Sequence, residues 1–353
     1  MSGTAQVPVF DGHNDILLKL DKSGGRAALP GFVTGMDSHV DMPKARLGGF
    51  AGGFFAMFVP SPFDFSAAME EMKKSAYDLP LPDPVAQEAA LPVVMRQASL
   101  LMQLEDAGAV KICRTVGEIE ATIGTGRLAT VLHLEGAEAI DPEFHALDVL
   151  YAAGLRSLGP VWSRNTIFGE GVPFTFPASP DIGGGLTADG KRLVKRCNEI
   201  GVLVDLSHLN EAGFWDVAKA SDKPLVATHS NAHALCAHAR NLTDRQLDAI
   251  AESDGMVGLN FATAFLREDG AMRPDVPLEQ MIRHLDHMVA RMGEDRVGLG
   301  SDFDGAMVPE KIGSIAGLPH LIAAMEKAGY GQELIEKIAW RNWMRVLEKT
   351  WSA

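Results

Sequence analysis

Six residues of the sequence offer metal-binding or proton-transfer chemistry in similar surroundings: His13 and Asp15 in DGHND, Glu135 in HLEG, His208 in VDLSH, His229 in VATHS and Asp302 in GSDFDG. Each stands at or just past the end of a short apolar run. Imidazole nitrogen and carboxylate oxygen together suit zinc, which accepts both and takes low coordination numbers. Three histidines, an aspartate and a shared glutamate exceed what one tetrahedral ion needs. Two ions about 3.5–4 Å apart, bridged by a carboxylate, use all five of His13, Asp15, Glu135, His208 and His229. Such a pair can hold a hydroxide nucleophile and polarise a carbonyl, so hydrolysis is the natural chemistry. A lone histidine after an apolar run is more often a hydrogen-bonded structural residue. It is the joint placement that points to a site.

The runs themselves must supply the scaffold. Strands are expected at 7–13, 53–59, 129–135, 155–161, 202–207, 224–229, 256–261 and 296–302. Amphipathic stretches separate them, and strand–helix alternation implies a parallel sheet with crossover helices. Eight strands suggest closure into a TIM-like (β/α)8 barrel, whose chemistry lies at the C-terminal strand ends. Residues 278–292 place apolar side chains at a 3-4 spacing and predict a helix. Thr243 is the expected N-cap of another, with Gln246 three residues on and Gly255 as its stop. Residues 183–200 read as a glycine-rich loop leading into a third. The proline-rich stretch 60–90 is expected to be an excursion carrying a helix over the barrel mouth. The C-terminal GYGQELIEKIAWRNWMRVLEKTW is expected as paired helices packed on the outside. The whole of 1–353 is expected to be a single hydrolase barrel domain.

Taken together, DGHND, GGFFAMFV at 52–59, HLEGAEAID at 133–141, VDLSH at 204–208, ATHSNAHALCAHARN at 227–241, HLDHM at 284–288 and VGLGSDFDG at 297–305 resemble, in order, the signature segments of the membrane (renal) dipeptidase family of the amidohydrolase superfamily. The resemblance covers nearly the whole chain and suggests a soluble bacterial-type member. It implies a dinuclear zinc peptidase cleaving small dipeptides, L-Xaa-D-Xaa among them. His13 and Asp15 would bind one Zn2+, His208 and His229 the other, with Glu135 and a hydroxide bridging the two. Asp302 would be the acid/base, and Arg240 in HARN would pair with the substrate carboxylate, for which a guanidinium fork is well shaped. A homodimer is implied as well. Two positions depart from the family pattern. Trp162 stands where better-known members carry a substrate-contacting His, so either another donor replaces it, with Arg164, Asn165 and His133 as candidates, or stabilisation of the intermediate is left mainly to the zinc ions. Trp162 and Asn165 are therefore expected to touch the substrate. Glu138 stands where the family often has a His, and is expected to act around the ligand set or in the substrate pocket.

Other polar residues have duller expectations. His284 and His287 are read as structural, and Asp304 as a loop hydrogen-bonder. Asp11 is read as an acceptor orienting an imidazole, and His233 and His238 as solvated helix positions. The glycines at 183–185 lack a Walker lysine. A formal net charge of −14 disfavours a nucleic-acid partner. Cys113, Cys197 and Cys236 form no CxxC and are expected as reduced, packed thiols. No stretch approaches the roughly 18 apolar residues of a membrane span. Because only MSGTAQ precedes the first strand, cytoplasmic residence is the default expectation. Two other readings remain open here: another amidohydrolase acting on N-acyl amino acids, cyclic amides or lactones, and a catalytically silent binding protein on the same fold.

Overall fold

A computed structural model of the chain describes residues 6–61 and 66–351; residues 62–65 of the proline-rich excursion lie outside the described residues, as do 1–5, most of MSGTAQ. All eight expected strands form: β1 (Val9–Asn14), β2 (Phe50–Phe58), β3 (Leu128–Glu135), β4 (Leu155–Leu158), β5 (Leu203–Val204), β6 (Val226–Ala227), β7 (Met256–Leu259) and β8 (Val297–Leu299). Each pairs in parallel with the next, and β8 returns to β1 through Asp11 and Leu299. Between β5 and β6 the ladder is reduced to one bridge, Asp205 with Val226, where the Leu206 N–H donates to the Val226 carbonyl at 2.9 Å. The result is a TIM-type barrel in sequential order. Strands buried on both faces read as continuous apolar runs, and β3 (LATVLHLE) is buried at every position.

Alternation along the strands separates two layers of core. Val9 and Phe55 face outward against the helices. Phe10, Phe54, Val131, Leu203, Val226 and Met256 join Trp343 in a second cluster, which fills the N-terminal half of the barrel. The C-terminal segment is thus more than outside packing. Helix Asn342–Trp351 covers the lower mouth and sends fully buried Trp343 inside, its Nε1 donating to the Leu299 carbonyl at 3.0 Å. Gly12, Gly258 and Gly298 line its slot: a Cβ on any of them would lie 2.4–3.1 Å from a Trp343 ring atom. Glycine inside a strand commonly marks such a close approach.

The helices follow their local signals. Helix Leu278–Met292 matches its predicted range. Helix Asp244–Glu252 opens on a capping box formed by Thr243 and Gln246, and Thr187 caps Ala188–Ile200. Two strand pairings escaped the periodicity because they are too short to show one. Val110–Ile112 pairs with the start of β3. Tyr77–Asp78 pairs with Thr175–Phe176 within the loops above the mouth, where helix Ser66–Glu71 also lies. Several strands end two or three residues before their expected limits. Chain leaves the ladder to turn inward, and Asp302, at φ 62°, is already off extended geometry.

Candidate active site

β1 carries the first ligand types into the barrel. Its register with β2 slips between Asp11 and Asn14, three residues advancing against two, as a bulge does when it re-aims a side chain. His13 and Asp15 end up adjacent, with His13 Nε2 3.3 Å from Asp15 Oδ2. Glu135, the last residue of β3, lies between the histidines: its carboxylate is 3.5 Å from His13 Nε2, 3.0 Å from His208 Nε2 and 3.6 Å from His229 Nε2. The His208 and His229 Nε2 atoms are 3.0 Å apart. Ligand-capable atoms of His13, Glu135 and His229 all lie within 4.8 Å of one another, as do those of His13, Asp15 and Asp302. Six residues from five separate segments of the sequence thus meet at the upper mouth.

Two of the three ring nitrogens turned away from this centre are held, and His13 Nδ1 is buried without a partner among the described residues. His208 Nδ1 is 3.0 Å from Ser163 Oγ, and His229 Nδ1 is 2.8 Å from Thr228 Oγ1. Thr228 Oγ1 donates to Asp205 Oδ2 at 2.6 Å, while Asp205 Oδ1 accepts from Ser207 Oγ and the Thr228 N–H. Outer partners of this kind orient imidazoles for a metal. Asp205, Ser163 and Thr228 were not singled out in the sequence, although Asp205 stands three residues before His208 in VDLSH. Asp11, expected in that role, instead accepts from the Ser301 N–H and Oγ, each at 2.7 Å, and ties β1 to the turn after β8.

Burial and mutual charge set the protonation states. Burial and the nearby Arg240 and His13 push His208 and His229 well below the usual imidazole range, leaving them neutral as ligands must be. At His13 burial acts in the same direction, but the carboxylates of Glu135 and Asp15 outweigh it and hold its pKa well above that range. Burial raises Glu135 to about 7 against the pull of His13. Asp302 is also raised by burial, and Asn260 Nδ2 donates to its Oδ2 at 3.0 Å. The donor set, three Nε2 atoms converging on one carboxylate, fits metal ions.

A cavity of about 140 Å³ opens over this centre. Asp15, Glu135, His208 and Asp302 are its polar floor, and Phe58, Trp162, Phe174, Phe265, Met69, Met72, Met272 and Met307 line its sides. Trp162 stacks edge-on to Phe58 at 5.0 Å and lies 5.8 Å from the His208 ring. Asn165 is not among the lining residues, and its Oδ1 accepts from the Gly171 N–H at 3.1 Å. Arg164 is fully buried and engaged with Glu138, Val59 and Ser61. His133 lies deeper, its Nδ1 2.9 Å from Ser157 Oγ. Arg240 is buried behind the histidines. It donates to the Ser207 carbonyl, and its Nη2 lies 3.3 Å from His208 Nε2.

The remaining residues sort cleanly. His284 and His287 are structural, bonded near the Leu266 carbonyl and to Asp244. Asp304 accepts from the His39 and Val40 N–H groups, holding the 35–41 loop. His233 contacts the Ala178 carbonyl, and His238 is fully buried among Tyr77, Phe174, Phe176 and Phe265, so neither is a solvated helix position. Both lie in the turns that follow β6. The three cysteines are buried, free thiols. Among the described residues, no helix is long and apolar enough to cross a membrane.

A nearly closed parallel barrel gathering three imidazoles and three carboxylates at the C-terminal ends of its strands defines a metal-dependent hydrolase of the amidohydrolase type. Residues 4–353 match the model of the membrane dipeptidase family, peptidase family M19. The chain belongs to that family and is a metallodipeptidase. Among solved structures it resembles a Rhodobacter sphaeroides metallopeptidase liganded with a phosphinate mimic of the dipeptide L-Ala-D-Ala, at 52% identity and a TM-score of 0.96, covering 98% of this chain and 100% of that one. The dipeptidase verJ of Clonostachys rogersoniana is 28% identical over 353 residues, 98% of this chain and 84% of that protein. The probable dipeptidase PvdM of Pseudomonas aeruginosa, at 22% identity and a TM-score of 0.82 over 98% of this chain and 96% of that one, shares the fold.

Proposed function

We propose that the chain is a dinuclear zinc dipeptidase that hydrolyses small dipeptides, including those with a D-residue at the C-terminal position. The observation that carries this reading is Glu135, whose carboxylate lies within 3.0–3.6 Å of Nε2 atoms from three histidines on three separate strands or strand ends. His13 and Asp15 would hold one ion, His208 and His229 the other, and Glu135 would reach both. When bound, the ions would acidify a water and polarise the scissile carbonyl. The chain's own residues supply the rest. Asn260 engages Asp302 Oδ2, leaving Oδ1 as the proton acceptor and donor, and the upward shift of its pKa brings it nearer the range in which a carboxyl can both take and return a proton. Asp302 receives the proton of the attacking water and passes it to the departing amine. By the family resemblance Arg240 would be the cation for the substrate carboxylate; its guanidinium lies beside His208 Nε2, behind the residues that line the cavity, with its Nε buried and without a partner among the described residues. Trp162, Phe58 and Phe174 wall the bound dipeptide off from water. The proposed acceptance of a D-residue is supported by the Rhodobacter sphaeroides relative, whose ligand is a phosphinate mimic of L-Ala-D-Ala.

The test is ninhydrin-detected hydrolysis of an L,L- and L,D-dipeptide library by zinc-loaded protein, run beside Asp302→Asn with metal analysis of both. Turnover by the wild type that is lost in the variant, at equal metal content, is the expected result. A protein that holds two zinc ions and cleaves no dipeptide overturns the reading.

A further inference from the structure

We infer that the buried Glu138–Arg164 pair is a positioning pair: it fixes the aromatic wall of the substrate cavity and thereby substrate affinity. The inference rests on the dipeptidase reading above. Both side chains are fully buried, 2.7 Å apart. Burying two charges is costly, and an apolar pair of similar volume often packs as well or better, so packing alone does not account for them. Arg164 uses nearly its whole fork. Nε and Nη2 donate to Glu138 Oε1 at 3.0 and 2.7 Å, Nη2 also to the Val59 carbonyl at 2.8 Å, and Nη1 to Ser61 Oγ at 2.8 Å.

These partners come from three strand ends. Val59 directly follows β2, Glu138 stands three residues beyond Glu135 at the end of β3, and Arg164 stands two residues beyond Trp162 after β4. One guanidinium therefore holds the three exits in mutual register. Its Cζ also lies 5.8 Å from the Phe58 ring and 5.7 Å from the Trp162 ring, within cation–π range. Phe58 and Trp162 are the cavity wall. A planar fork sets several directions at once, which a lysine ammonium cannot. Phe58 and Trp162 line the cavity beside its polar floor and carry no group that could join the chemistry, so their displacement is expected to lower binding of ground state and transition state alike.

The experiment compares wild type with Glu138→Met/Arg164→Met, Arg164→Lys and Glu138→Gln in steady-state hydrolysis of dipeptides, with melting temperature and metal content measured alongside. Removing both charges avoids stranding one of them, so the double variant is expected to fold and hold metal. Its KM is expected to rise about tenfold with kcat little changed. Arg164→Lys should show the same rise, while Glu138→Gln, which keeps an acceptor at Oε1 but strands the Arg164 charge, should lower the melting temperature and leave KM near wild type. If the double variant does not fold, the two single variants decide alone. A wild-type KM in Arg164→Lys or in a folded double variant overturns the inference, as does a fall in kcat alone. Should wild type cleave no dipeptide, the activity reading falls separately. The pair is then judged by acrylamide quenching of the emission that Trp162→Phe removes. Greater quenching of that component in Arg164→Lys supports a positioning role, and unchanged quenching rejects it.

Discussion

Gly305 shows how little room the site leaves. A Cβ there would lie 2.1 Å from Asp15 Oδ2 and 2.6 Å from Asp302 Oδ1, so the bare backbone is what lets the two carboxylates stand side by side. Gly305→Ala is expected to push both aside and lower kcat/KM about 100-fold, since a displacement of order 1 Å at the chemistry costs that much. It should also release metal at lower chelator concentration than wild type. Wild-type kinetics in the alanine variant would refute this account. The six ligand-type residues were legible because His, Asp and Glu at the ends of apolar runs are conspicuous. The cavity wall was not, because Phe58, Phe174, Phe265 and the methionines are the same residue types that fill any core. Asn165 and Arg164 looked like free donors in sequence. Only the fold reveals that a Gly171 amide and the Glu138 carboxylate already engage them.

At the level of elements, the best-anticipated features carry a strong local signal. The 278–292 helix has an unbroken apolar stripe, and Thr243 with Gln246 closes a capping box. Strand ends were placed too far along, because a strand that delivers a ligand must bend off its ladder to do so, and bending leaves no mark in hydropathy. The C-terminal helix was read as outer packing for a similar reason: amphipathicity gives a buried face but not what that face meets. Trp343 meets three strand glycines and the floor of the barrel. Trp343→Ala is expected to cost about 3–5 kcal/mol, as large-to-small changes at buried aromatics do. Urea denaturation checks this. A loss under about 1 kcal/mol would mean that the floor collapses to fill the space.

For the molecule as a whole, buried neutral histidines make stability depend on pH. Burial lowers His284 to about 4 and His133 to about 3, from an ordinary 6.5. As pH falls below 6.5 the unfolded chain takes up protons at these positions and the native state does not. Their contribution is therefore complete above 6.5 and is lost on acidification, by up to about 1.4 kcal/mol per pH unit for each histidine. Groups shifted the other way, such as Asp11 at about 7, oppose this, so the clean test is a difference. In His284→Gln, the acid-side slope of unfolding free energy is expected to be shallower by close to one proton between 6.5 and about 4. An unchanged slope would mean that His284 is already charged in the native protein.

Trp343 also lies downstream of all eight strands. During synthesis, when domains tend to fold as units from the N-terminal side, the strands emerge into a barrel whose floor has not yet been made. Phe10, Phe54 and Met256 then face an unfilled interior until the last helix arrives. Ribosome-bound intermediates that stop before residue 342 should therefore be chaperone clients, and the committed native barrel forms only once helix Asn342–Trp351 has emerged.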